Sequence, residues 1–215
     1  MNYIVFDLEW NQSGYGKEND KVRKVMPFEI IEIGAVKLNE HYEELGQFHR
    51  YIKPQVYKEL HYMTKRIVHI TKEELANGVE FPQAAADFFQ WCGEDIIFCT
   101  WGSSDLTELQ RNIRYFHLEP ISSGPFMYYD IQKFYRLLYD EGKDVRTLHY
   151  AADYFHLEEN LKFHSALNDA LYTAQIMRHL DMPKVKKYYS FDCYWIPSCK
   201  EEEIYAVFDT YSKYI

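Results

Sequence analysis

Hydrophobic positions recur at two spacings along the chain, every second residue in short runs and every third or fourth in longer ones, and each change of spacing marks an element boundary. Tyr3-Ile4-Val5-Phe6 is β-branched and aromatic with no turn residue, and predicts a strand buried on both faces. Asp7 and Glu9 end that run. Alternate residues of a strand share a face, so the two acids project side by side while Leu8 turns into the core. The polar stretch Asn11 to Lys24, with Gly14 and Gly16, reads as an exposed loop. Beyond Pro27, Phe28 to Leu38 predicts a second strand, and Gln47 to Lys53 a third that Pro54 terminates. The short turn at Asn39-Glu40-His41 makes these an antiparallel hairpin, which the first strand joins.

From Tyr57 to Gly78 the period becomes helical, interrupted at His69-Ile70-Thr71, where Thr71 and Glu74 have capping-box spacing. Phe81-Pro82 opens another helix, through Ala84, Ala85, Phe88 and Phe89 to Trp91. Ile96 to Cys99 is then a compact fourth strand, reached through a helix as a parallel crossover would be. Asp105 follows it at the start of a helix through Leu106, Leu109 and Ile113. Taken alone it is a first-turn acid of the kind that stabilises a helix by about 1 kcal/mol. Phe126 to Tyr129 predicts a fifth strand, Ile131 to Tyr139 a helix stopped by Gly142, and Thr147 the start of a short helix. A last amphipathic helix carries Asp169 in its first turns, with His164 at or just before its start, and continues to Leu180. Residues 1–182 therefore form one domain, with 183–215 as an aromatic and charged extension packed on it, or offered to a protein partner through 184–215.

A chain of 215 residues that is 47% hydrophobic has enough apolar content for one well-buried domain and too much for disorder. Aromatic residues at 18% serve base stacking as readily as core packing. The net charge of −9 argues against a clamp on long duplex nucleic acid, but not against an enzyme that holds a few nucleotides through bound cations. The 4 cysteines have no C-x-x-C spacing, so reduced thiols are expected. With neither a signal-like segment nor a membrane-spanning stretch, the expectation is a cytoplasmic protein with no membrane partner.

Asp7, Glu9, Asp105 and Asp169 all fall at strand ends or helix starts, and His164 lies five residues before the last of them. Carboxylates converging there repel unless cations lie between them, and hard oxygen ligands suit divalent ions. Two such ions, about 3.5–4 Å apart, stabilise attacking and leaving oxygens at phosphorus, and a histidine of near-neutral pKa can take the proton of the attacking water. Phosphodiester hydrolysis is the reaction class that follows.

The ordered motifs Phe6-Asp7-Leu8-Glu9, Asp105 and His164-Ser165-Ala166-Leu167-Asn168-Asp169-Ala170 resemble those of the DEDDh 3′-to-5′ exonucleases. The likeness extends to Pro27 through Gly34, to Tyr51-Ile52-Lys53-Pro54, and to His69-Ile70-Thr71, which is similar to the substrate-side helix turn of that family. Trp101 to Asp105 resembles the histone-mRNA 3′-exonuclease-like branch. The resemblance implies an α/β, ribonuclease H-like fold, with a mixed five-stranded central sheet and helices on both faces. It also implies Asp7, Glu9, Asp105 and Asp169 as ligands of two Mg²⁺ ions, with Mn²⁺ able to substitute, and His164 as general base. The substrate it implies is a single-stranded RNA or DNA 3′ end, RNA favoured, released as nucleoside 5′-monophosphates.

Substrate contacts are expected from Trp10, Asn11, His69, Ile70 and Trp101. Trp10 departs from the small residue or Thr usual in the family; it stacks on a terminal base or covers the sheet end. Two other classes compete: a regulatory, protein-binding module on the same fold, and a phosphatase acting on mononucleotides. Ordered buried acids have no use in a pure scaffold, which argues against the first.

Overall fold

The computed structural model describes residues 1–14, 20–118, 126–140, 144–158, 160–188 and 192–194. β1 (Asn2–Gln12) runs antiparallel to β2 (Phe28–Leu38) on one side and parallel to β4 (Ile96–Thr100) on the other. β3 (Glu44–Tyr51) completes the hairpin beside β2, and β5 (Phe126–Asp130) lies parallel to β4. The mixed five-stranded sheet expected from the sequence is present. A short β6 (Asp192–Tyr194) pairs antiparallel with β5 and extends it, giving the order β3-β2-β1-β4-β5-β6.

β1 is the strand both faces are built on. Its even residues Ile4, Phe6 and Leu8 pack with Ile33 and Ala35 of β2 against α4 (Phe81–Cys92) and α5 (Ser104–Tyr115), where Phe88, Cys92, Leu109 and Ile113 are buried. Its odd residues Tyr3 and Val5 face the other way, with Val36, Leu38 and Cys99. That side is covered by α6 (Ile131–Tyr139), α7 (Leu148–Tyr154), α8 (Ala166–His179) and α9 (Met182–Tyr188). The boundary expected at residue 182 falls at the start of α9, whose Met182 and Val185 are buried in this second cluster. The surface expected within 184–215 lies largely outside the described residues, as does the Gly142 helix stop.

The two described ends of the stretch Asn11 to Lys24 are regular structure where its composition suggests a loop. β1 continues to Gln12 because β2 supplies partners as far as Phe28, and Asp20–Val25 forms the short helix α1, after which Met26 is fully buried. The helical region after Pro54 is two short helices, α2 (Tyr62–Ile67) and α3 (Lys72–Ala76). At the second, Thr71 and Glu74 form the reciprocal capping box that their spacing predicts. No helix among the described residues is long and apolar enough to cross a membrane.

Two contacts fix the helices on the sheet. Asn112 of α5 is fully buried; its Oδ1 accepts the Ile30 N–H at 3.1 Å and its Nδ2 donates to Phe28 O at 2.9 Å, tying the helix to the β2 backbone. On the opposite face α8 comes so close at Gly34 that a Cβ there would lie 2.0 Å from Leu167 N and 2.2 Å from Ala166 C. Only glycine permits that approach.

Gly34→Ala is expected to lose at least about 3 kcal/mol, because the overlap is with backbone and cannot be relieved by a rotamer change. Gly46→Ala, in open space on β3, is expected to stay within about 0.5 kcal/mol of the parent in the same urea titration. Equal midpoints for the two variants would contradict the close contact.

Candidate active site

Along the odd face of β1 the series Tyr3, Val5, Asp7, Glu9 turns from apolar to acidic as the strand passes the end of β4, whose pairing stops at Val5↔Cys99. On β2 the register places Gly34 opposite Asp7 and Glu32 opposite Glu9. The missing side chain at Gly34 lets α8 down onto the sheet, and this brings Asp169, in the first turn of α8, to the two β1 acids. A shift of register between Glu9 and Trp10 then turns Ile31 toward Val68 and Leu75, so the acidic segment ends in a β-bulge.

Asp105 enters from the first turn of α5. Its Oδ1 accepts the Leu8 N–H at 3.1 Å, giving β1 a hydrogen bond where β4 no longer does. Asp169 Oδ2 accepts the His164 N–H at 3.2 Å. His164 itself has φ 64°, a left-handed conformation uncommon for a residue with a side chain and costing of order 1 kcal/mol or more. Its ring stands open to solvent on the rim of the cluster. Ligand atoms of Glu9, His164 and Asp169 all lie within 4.8 Å of one another.

The electrostatics follow from this crowding. Burial pushes the Glu9 carboxyl up to about 9, with Asp169 and then Glu32 adding to the shift. Burial also raises Asp105 and Asp169 to about 7 each, against the pull of the backbone N–H each one accepts. Asp7 is raised well above the ordinary range by burial first and then by Asp105, Asp169, Glu9 and Glu32. For His164 the shift is downward, from partial burial and then from the nearby His69, which favours the neutral imidazole. Asp169 Oδ1 and Glu32 Oε2 are buried and have no hydrogen-bond partner among the described residues. An all-oxygen donor set with orphaned buried lone pairs and an adjoining imidazole fits a divalent cation.

Sequence reasoning passed over Glu32. It stands in the same Glu29-Ile30-Ile31-Glu32 run as Glu29, yet the two have opposite environments. Glu29 accepts three backbone N–H groups, from Gln55 at 2.6 Å, Val56 at 2.9 Å and Tyr57 at 2.6 Å, and works as a latch. Glu32 faces the acids. The available signal was its position across from Glu9 in the hairpin, which needs the register to be known.

The expected substrate contacts divide. His69 is exposed and close enough to His164 to influence its pKa, and Ile70 beside it is partly buried against the Ile31, Val68 and Leu75 cluster. Trp10 packs on Phe28, with ring centroids 5.6 Å apart, as the cover of the sheet end. Asn11 is fully buried, and its amide is taken up by Tyr57 O, Glu59 O and His61 N–H, which ties the end of β1 to the segment before α2. Trp101 is held in the frame: its Nε1 donates to Arg146 O at 3.1 Å and its ring lies against Tyr135.

Among solved structures, the chain is similar to a 3′-exonuclease that recognises the histone mRNA stem-loop at its 3′ end, at 18% identity and TM-score 0.69, covering 89% of this chain and 84% of that one. The nuclease domain of 3′hExo, a DEDDh family member bound to rAMP, shares 19% identity at TM-score 0.70, covering 89% of this chain and 96% of that one. The zinc-bound E. coli exonuclease I complex with single-stranded DNA shares 14% at TM-score 0.63, covering 87% of this chain but 42% of that one. At these identities the likeness is one of fold, the ribonuclease H-like fold expected from the sequence. No curated protein matches the chain by sequence. The RNase_T exonuclease family model matches residues 4–177, which span β1 to α8 and every acid of the cluster, and the chain belongs to that exonuclease family.

Proposed function

We propose that this exonuclease-family protein is a DEDDh-type 3′-to-5′ exonuclease, which removes nucleoside 5′-monophosphates from single-stranded nucleic acid ends with divalent cations, favouring RNA over DNA. The observation that carries the proposal is the convergence of Asp105 from α5 and Asp169 from α8 on Asp7 and Glu9 at the end of β1, all four with raised pKa values, beside His164. Direction and RNA preference are supported by the fold shared with a 3′-exonuclease acting at an mRNA stem-loop and with a nuclease domain that binds rAMP.

Asp7, Glu9, Asp105 and Asp169 would hold two Mg²⁺ ions, or Mn²⁺ in their place. When bound, the ions supply the positive charge that stabilises attacking and leaving oxygens at phosphorus. The remaining work falls to the chain. The four carboxylates set where the scissile phosphate is held, because they are fixed to three rigid elements, Asp7 and Glu9 to β1, Asp105 to α5 and Asp169 to α8. His164, neutral at pH 7, accepts the proton of the attacking water at a ring nitrogen; its backbone N–H bond to Asp169 fixes the ring's approach to the site. His69 and Ile70 flank the opening next to it. With a net charge of −9, the chain would rely on cations held by these four carboxylates to lower the local repulsion of a phosphate.

On 5′-labelled single-stranded RNA and DNA with Mg²⁺ or Mn²⁺, a ladder shortening from the 3′ end is expected, stopped by EDTA. His164→Ala is expected to slow it by about 10²–10⁴-fold and Asp7→Ala to abolish it. Intact polymer under every metal condition would overturn the proposal.

A second expectation concerns stability without metal. Each raised carboxyl binds its proton more tightly folded than unfolded, so its contribution is complete below the ordinary values of 3.8 and 4.5 and is lost as pH rises through about 7 for Asp105 and Asp169 and about 9 for Glu9. His164, shifted the other way, removes stability only below its ordinary value of 6.5. The Tm in EDTA should therefore fall between about pH 5 and pH 9, and saturating Mn²⁺ should restore it. Asp169→Asn should raise the metal-free Tm at pH 8 while weakening the Mn²⁺ effect. A metal-free Tm that climbs over this range would show that the acids are not in mutual conflict.

A further inference from the structure

Glu32 is almost wholly buried, with a side chain 1% exposed, and it lies opposite Glu9 in the strand register, close enough to raise the Glu9 carboxyl. Its Oε1 accepts from Ser165 Oγ at 3.2 Å and lies 2.8 Å from His49 Nε2 on the edge strand β3. Ser165 is the N-cap of α8, yet its hydroxyl makes no bond to the helix N-terminus. A serine at this position ordinarily caps the helix. Here the hydroxyl goes to a carboxylate 133 residues away in sequence. The residue before it is His164, held at φ 64°. A backbone in that region persists only where its surroundings over-determine it. Two anchors are present: Asp169 Oδ2 on the His164 N–H, and Glu32 on the Ser165 hydroxyl.

We infer that Glu32 is a positioning residue for His164: by holding the Ser165 hydroxyl, and being held in turn by His49, it fixes the left-handed turn that aims the imidazole into the acidic cluster. The inference deepens the proposed function, since it rests on His164 acting as the base. Glu32 does not meet the reacting atoms through this bond; it acts on them through the turn. His49, in a T-shaped contact with Tyr51 at 4.6 Å, holds the carboxylate from the β3 side. The anchor matters because a misplacement of about 1 Å in a catalytic group can cost about 10²-fold in rate.

The test uses Glu32→Ala, Glu32→Gln and Ser165→Ala, each alone and combined with His164→Ala, in the full chain. Glu32→Ala and Ser165→Ala are expected to lower kcat on a single-stranded RNA by at least about tenfold with KM within about twofold, and Glu32→Gln, which keeps an acceptor, to recover most of the loss. In the His164→Ala background the same changes should have no further effect, because a group that acts only through His164 has nothing left to position. Multiplying losses in that background, or a kcat unchanged by both Glu32→Ala and Ser165→Ala, would overturn the inference. So would a Glu32→Gln variant as slow as Glu32→Ala with weakened Mn²⁺ binding, which would make Glu32 a ligand instead. Amide hydrogen exchange on the metal-free proteins supplies a readout without catalysis: the His164 amide should exchange about tenfold faster in Glu32→Ala and Ser165→Ala. If the parent protein cleaves nothing, the proposed function fails and the exchange rates still decide whether Glu32 holds the turn; unchanged rates overturn it.

Discussion

Helix α8 lies on β2 at Gly34 with its backbone in the space a side chain would occupy, and that contact sets how deep Asp169 enters the cluster. With a Cβ between them, helix and strand would separate, and the carboxylate would be withdrawn from Asp7 and Glu9. Close packing without voids is what makes such a displacement costly and the site geometry well defined. The same approach places Ser165 within reach of Glu32, so one glycine positions both the last acid and the turn that bears the histidine.

The rest of the fold can be seen as support for a region that is unfavourable by itself. Buried carboxylates with raised pKa values sit at the end of a strand whose preceding residues, Ile4, Val5 and Phe6, are completely buried. Apolar burial on both faces of β1 offsets the local repulsion. Polar brackets then hold the frame where strand pairing gives out: Asp105 on Leu8, Asn112 on β2, and Asn11 on the segment from Tyr57 to His61. Each replaces a ladder hydrogen bond, or a loop's lost partner, with a side-chain one. A buried backbone group left unsatisfied would cost about 1–3 kcal/mol.

Local pattern was sufficient for elements whose reasons are local. The β-branched run Phe28 to Leu38, the proline in α4's first turn and the Thr71 to Glu74 spacing each determine structure within a few residues and are found where expected, while the third strand ends at Tyr51 and starts earlier, at Glu44. The pairing of Asp7 with Glu9 on one face follows from strand period alone. What could not be read depends on contacts distant in sequence. The extension of β1 through Asn11 needed β2 as a partner. Asn11 and Trp101 looked available because polar and aromatic residues beside a motif are available until something far away engages them, as Tyr57 and Arg146 do. Glu32 looked like one of two equivalent acids until register set it against Glu9 and α8 covered it.

Among the described residues two buried cysteines divide between the faces of the sheet, Cys92 with the α4 and α5 side and Cys99 with the α8 side. Burial raises both thiols, so neither forms a thiolate readily in the native protein. Any reagent that modifies them must wait for the layer above to lift. They are therefore two built-in clocks, one for each layer: the rate at which Cys99 is labelled reports how often the helices on the α8 side part from the sheet, and the rate at Cys92 reports the same for the α4 and α5 side.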